Sequence, residues 1–217
     1  MSAESVQLDP FSQTGVSRHS QSGAKHVPGR VFLVRHAATE WSAVGRHTGL
    51  TDLPLLPDAE EAARALGRRL EHLRPLLVLS SPLLRAVETC RLAGFGDEVE
   101  TSHLLLEMDY GDYEGLTTAQ VREARPGWDL FRDGCPGGET IEDVGKRVDL
   151  LLERLVSDRG LADGDVALFA HGHVLRVLTA RWLGLEAAEA RRFALAAARI
   201  GVLDWEHEWT VVGGWNH

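Results

Sequence analysis

The tightest constraint on this chain is its alternation of short apolar runs with stretches of helical periodicity. Val31 to Val34, Leu76 to Ser80 and Val166 to Ala170 are too short for helices, and they lack the polar alternation of a strand with one wet face. Between them, Asp58 to Leu73 places Ala59, Ala62, Ala63, Leu66, Leu70 and Leu73 on one helical face. A Thr140–Asp143 capping box opens a second amphipathic helix with the stripe Ile141, Val144, Val148, Leu151, Leu152 and Leu155. Ser81 and Pro82 signal a helix start after the second run, and Val174 to Leu183 has helical character after the last. Leu104 to Leu106 suggests a further short strand ending at Glu107, and Ile200 to Trp205 with Thr210 to Val212 suggests an antiparallel edge hairpin. Alternating strands and helices predict right-handed crossovers and an α/β fold, a three-layer α/β/α sandwich around a mainly parallel sheet.

The 217 residues suit one such domain, expected over residues 28–217. Residues 1–27 are rich in Ser, Gln and Gly and poor in large apolar side chains, so a mobile tail is expected there. Lys and Arg number 23 against 32 Asp and Glu, a formal charge of −9, which argues against nonspecific binding to nucleic acid or an anionic membrane face. Any phosphate site must then be a local cluster of positive charge. Cys90 and Cys135 are the only cysteines, too few for a disulfide framework or a cysteine-built zinc site. With no apolar run long enough to span a bilayer and no signal-peptide stretch at the start, a cytoplasmic location is expected.

Strand ends are where ligands bind in open α/β sheets, and here they carry chemistry. The first run enters Arg35-His36, the second is followed by Arg85 in a first helical turn, the third ends at Glu107, and Val166 to Ala170 ends at His171. In a parallel sheet these boundaries share one edge. Two arginines offer planar forks matched to phosphate oxygens, and two imidazoles and a carboxylate can supply a nucleophile and an acid, so the set suits phosphoryl transfer. Arg85 sits where a helix N-terminus disfavours a cation, which itself hints at an anion nearby.

Four stretches in order resemble the histidine phosphatase superfamily, the phosphoglycerate-mutase-like proteins. They are Leu33-Val34-Arg35-His36-Ala37-Ala38-Thr39-Glu40-Trp41, Ser80-Ser81-Pro82-Leu83-Leu84-Arg85-Ala86, Glu107-Met108-Asp109-Tyr110-Gly111 and Ala170-His171-Gly172-His173. The resemblance implies that His36 is transiently phosphorylated, that Arg35, Arg85 and His171 surround the phosphoryl oxygens, and that Glu107 is the proton donor. It further implies that Thr39, Ser42, Thr48 and Gly49 line the phosphate or substrate entrance, with no metal and no cofactor required. The partner is then a small phosphorylated substrate, and homodimers are frequent in the family although the sequence shows no interface signature. His36 must present an unprotonated nitrogen, so its other ring nitrogen is expected to meet a backbone carbonyl.

The chain departs from the family in two places. Arg-His-Gly becomes Arg-His-Ala at Ala37, tolerable where φ is negative, and the Asn common after the Trp is Ser42. His171 and His173 could be read as metal ligands, but their spacing sends the rings in different directions, and His173 is expected to be a structural or peripheral group. Asp109, Asp112 and Glu114 are expected to form a solvated turn. The compact Gly115 to Glu139 segment favours a phosphatase, resembling sedoheptulose bisphosphatase-type and broad-specificity acid phosphatases. Phosphoglycerate mutase and a non-catalytic phosphate-binding protein are the alternatives. A second cationic pocket for a bisphosphate would be sought at Arg46, His47 and Arg132.

Overall fold

The computed structural model describes residues 29–97, 99–157 and 164–217, so the expected N-terminal tail lies outside the described residues. The strands are β1 (Val31–Arg35), β2 (Leu77–Ser80), β3 (Val99–Thr101), β4 (Val166–Ala170), β5 (Ile200–Glu206) and β6 (Trp209–Gly214). The helices are α1 (Glu40–Ala43), α2 (Ala59–Arg69), α3 (Leu84–Leu92), α4 (Thr118–Ala124), α5 (Leu130–Asp133), α6 (Ile141–Ser157) and α7 (Gly172–Trp182). The sheet order is β3-β2-β4-β1-β5-β6. The four strands from β3 to β1 pair in parallel, β5 pairs antiparallel with β1, and β6 returns antiparallel to β5. The expected hairpin therefore exists, and its reversed strand is the one next to the edge.

Residue alternation along β4, the strand buried throughout, builds the three layers. Val166, Leu168 and Ala170 pack with Val144, Val148, Leu151 and Leu155 of α6 and Leu175 and Leu178 of α7. Ala167 and Phe169 point the other way, into a cluster with Leu66 and Leu70 from the α2 side and Cys90 of α3. The Thr140–Asp143 capping box forms as expected, each side chain accepting the other's backbone N–H at 3.2 Å. Among the described residues no helix is long and apolar enough to cross a membrane.

Two expectations are corrected. Leu104 to Leu106 is not a strand: β3 lies upstream, and the leucines enter a 3₁₀ turn over His103–Leu105. Successive leucines cannot all face one side of an edge strand, whereas the turn drives Leu105 fully into the core. The helix after β2 starts at Leu84, beyond Pro82, because its leading amide is capped from another loop: Leu84 N donates to Asp52 Oδ1 at 2.7 Å.

Candidate active site

His36 leaves the end of β1 still in register with the neighbouring strand, its amide donating to Ala170 O at 2.9 Å. Its ring is nearly sealed, 3% exposed. Nδ1 lies 2.6 Å from Ala37 O, and a carbonyl can only accept, so Nδ1 carries the hydrogen and Nε2 keeps its lone pair. Burial, reinforced by the charges of Arg35 and Arg85, holds the imidazole well below its ordinary value, so the ring is neutral. The carbonyl expected from sequence is thus Ala37's own. Ala37 is absent from the residues with positive φ, so its methyl is accommodated, and its amide donates to Thr89 Oγ1 at 3.0 Å.

Arg85 is wholly buried and every nitrogen of its guanidinium is engaged. Nε donates to His171 Nδ1 at 3.1 Å, Nη1 to Thr51 O at 3.0 Å, and Nη2 to Thr48 O at 3.1 Å and Gly49 O at 2.7 Å. His171 therefore carries its hydrogen on Nε2, which donates to Ser81 Oγ at 2.7 Å. The His36 and His171 rings lie 5.2 Å apart. Arg85 and His171 form a layer behind His36 and do not themselves line the cavity in front of it.

Arg35 does line that cavity. Its Nη1 donates to Leu195 O at 2.6 Å, while its buried Nε has no partner among the described residues. The guanidinium lies against the start of α7, where a methyl on Gly172 would sit 3.2 Å from its Cζ, so glycine permits the approach. Glu107 faces the same space from the opposite chain segment. Its carboxylate accepts three backbone N–H groups at 3.0 Å, from Met108, His173 and Val174, the last two in the first turn of α7.

The secondary candidates divide. Ser42 and Thr48 line the cavity, whereas Thr39 and Gly49 do not. The Thr39 and Ser42 side chains form the capping box of α1. The Gly49 amide donates to both Glu114 oxygens, at 2.9 and 3.0 Å, and Thr51 N donates to Glu114 Oε1 at 3.1 Å. Glu114 is therefore a clamp between two loops, which corrects the expectation of a solvated turn at that residue, while Asp112 is exposed as expected; two trapped amides recruit Glu114.

In front of His36 opens a cavity of about 440 Å³. Arg35, Arg46, Arg122, Arg176 and Arg191 line it, against the carboxylates of Glu107 and Asp129. None of the five arginines is ion-paired among the described residues. Instead Arg122 Nε donates to Trp128 O at 2.9 Å, Arg176 Nε to Ala190 O at 3.1 Å and Arg191 Nε to Ala188 O at 2.9 Å. The Arg176 guanidinium also lies 4.7 Å over the Phe131 ring. Of the cations sought from sequence, Arg46 and His47 are here, but Arg132 is not. It pairs outward at 2.7 Å with Asp133, the next residue, whose two carboxylate oxygens hold Arg132 Nε and Nη2. His173 is not peripheral either, since it forms part of the wall. The i,i+3 spacing of His173 and Arg176 on α7 is the sequence signal that would have placed both on one face.

Comparison with known proteins places the chain in a family. The family model described as "Histidine phosphatase superfamily (branch 1)" matches residues 31–217. An acid phosphatase of Mycobacterium tuberculosis is 41% identical over 184 residues, covering 82% of this chain and 87% of that protein. The sedoheptulose 1,7-bisphosphatase of Saccharomyces cerevisiae is 37% identical over 185 residues, covering 72% of this chain and 68% of its relative. A solved structure of an open reading frame from Mycobacterium tuberculosis matches with a TM-score of 0.82 at 37% identity, covering 87% of this chain and 97% of that one. With the motifs and the sheet-edge geometry in agreement with a match spanning the folded chain, this protein belongs to the histidine phosphatase superfamily.

Proposed function

We propose that the protein hydrolyses small phosphomonoesters through a phosphohistidine on His36. The observation that carries this reading is the neutral His36 ring, its Nδ1 committed to Ala37 O and its Nε2 left as a lone pair on the wall of an arginine-rich cavity. Nε2 attacks phosphorus in line with the ester oxygen, so the N–P bond forms as the P–O bond breaks. Arg35 balances charge on the equatorial oxygens, with Arg85 and His171 fixing the floor beneath. Protonated Glu107 gives its proton to the departing oxygen. As a carboxylate it then takes a proton from the water that attacks the phosphohistidine, releasing phosphate and free His36.

The unpaired Arg122, Arg176 and Arg191 support substrates with a second anionic group beyond the scissile phosphate, sugar bisphosphates among them. Cys90 and Cys135, both buried free thiols, suit a reducing cytoplasmic setting.

The test is a panel of sugar mono- and bisphosphates, with 3-phosphoglycerate plus its bisphosphate primer alongside, scored for released phosphate and for isomer formation. Radiolabelled substrate should leave label on the wild-type protein and none on His36→Ala. Isomer formation without phosphate release would replace the hydrolase reading with a mutase, and binding without turnover would leave a phosphate-binding protein.

A further inference from the structure

Tyr110 is buried, and its hydroxyl meets one partner among the described residues, His173 Nδ1 at 2.6 Å. Burial lifts the phenol well above its ordinary value, so it keeps its proton. A buried hydroxyl whose sole neighbour is an imidazole nitrogen donates to it, because the reverse arrangement would strand the phenol hydrogen in the core. Nδ1 of His173 is then an acceptor. The ring is also neutral, held well below its ordinary value by burial and by the charges of Arg176, Arg35 and His47. Its one hydrogen must therefore sit on Nε2.

That nitrogen has no partner among the described residues, and it is not sealed from the cavity. His173 lines the cavity beside Glu107, whose Oε2 accepts the His173 amide at 3.0 Å. Flanking rings fix its tilt: His47 stacks on Tyr110 at 4.8 Å, and Phe131 lies 5.6 Å from His173.

We propose that His173 is a substrate-binding residue whose Nε2–H donates to an uncharged oxygen of the substrate, a sugar hydroxyl or carbonyl next to the scissile ester, and that Tyr110 is the positioning residue that sets this tautomer. The proposal rests on the phosphatase reading of the cavity. It separates discrimination among neutral parts of the substrate from the grip of the arginines on its charges. A site built to donate a hydrogen bond rejects ligands that lack the acceptor.

The test compares kcat/KM for a hydroxyl-bearing sugar phosphate with that for p-nitrophenyl phosphate, which has no hydroxyl. His173→Phe should lower the sugar-to-nitrophenyl ratio about threefold to tenfold, the size expected of one neutral hydrogen bond. His173→Gln places an amide N–H where Nε2 lies and should restore most of the ratio. Tyr110→Phe keeps the buried ring but frees the tautomer, and it should move the ratio in the same direction by less. If the ratio stays at the wild-type value in all three variants, or if Gln falls as far as Phe, the assignment is overturned. If wild type turns over nothing, the phosphatase reading fails by itself. Calorimetric titration with the same sugar phosphate then decides, with weaker binding to His173→Phe than to wild type supporting the donor and equal binding overturning it.

Discussion

Arg85 Nε donates to His171 Nδ1 across 3.1 Å, and this contact requires that His171 stay neutral. A proton on Nδ1 would set N–H against N–H in a site with no water-exposed edge. Burial first, and then the charge of Arg85, hold His171 well below its ordinary value. His36 and His173 are displaced in the same direction, again chiefly by burial.

Stability should therefore fall on the acid side. In the unfolded chain these histidines take up protons below their ordinary value of 6.5, while the folded state refuses them. The stabilisation is complete above that value and is lost as pH drops beneath it. Each such histidine contributes up to about 1.4 kcal/mol per pH unit. Urea midpoints measured from pH 7.5 to 5 should decline steadily, and a flat profile over that range would contradict the neutral assignments.

Arg85→Lys should damage stability and catalysis together. The guanidinium serves His171 and the carbonyls of Thr48, Gly49 and Thr51, whereas an ammonium has one nitrogen and no fork. With buried acceptors left unmet the expected cost is about 2–4 kcal/mol. Denaturation and turnover on the same preparations would show it, and a variant as stable as wild type would mean that the buried network is dispensable.

Glu107→Gln should show its effect through the leaving group. If Glu107 protonates the departing oxygen, alkyl phosphates should lose at least about tenfold more kcat/KM than p-nitrophenyl phosphate, whose leaving group needs little help. Equal losses on the two would assign Glu107 to positioning alone. A smaller structural cost accompanies the change, because the new amide NH₂ must face one of the N–H groups of Met108, His173 and Val174.

Thr89→Val tests the support behind His36. The Thr89 hydroxyl accepts from Ala37 N at 3.0 Å and donates to Arg85 O one turn back in α3 at 2.7 Å, so one side chain ties the loop after β1 to that helix. Valine keeps the shape and removes both bonds, at a cost of about 1–3 kcal/mol. Ala37 also carries the carbonyl that orients His36, so kcat should drop as well, and Thr89→Ser should recover much of it. No change in kcat would separate the Thr89 hydroxyl from catalysis.

Much of this architecture is legible in the chain itself. The apolar runs that become β1, β2 and β4 stand out because strands buried on both faces need no polar alternation, and the residues that follow them converge for the same topological reason. Leu104 to Leu106 misleads because a brief apolar run has no period with which to tell a strand from a turn. Arg122 and Arg191 leave no local trace: an arginine is recognised as a ligand-facing group by the absence of a carboxylate in space, and sequence shows only the carboxylates beside it in the chain. Arg132 is the converse case, its partner Asp133 being the next residue. Glu114 escapes notice because its acceptors serve amides of Gly49 and Thr51, far away along the chain.

The pairing of Arg35 with Ala170 across β1 and β4 carries a consequence for how such a protein changes over time. His36 and His171 follow directly from that shared rung, whereas Arg122, Trp128 and Phe131 belong to the separate excursion from Gly115 to Glu139 that walls the cavity. Lengthening or rewriting the excursion leaves the rung in place. Part of the choice of molecule is thus inherited apart from the reaction, and a lineage can exchange one customer for another by rewriting Arg122 and Phe131 while its phosphoryl chemistry stays fixed.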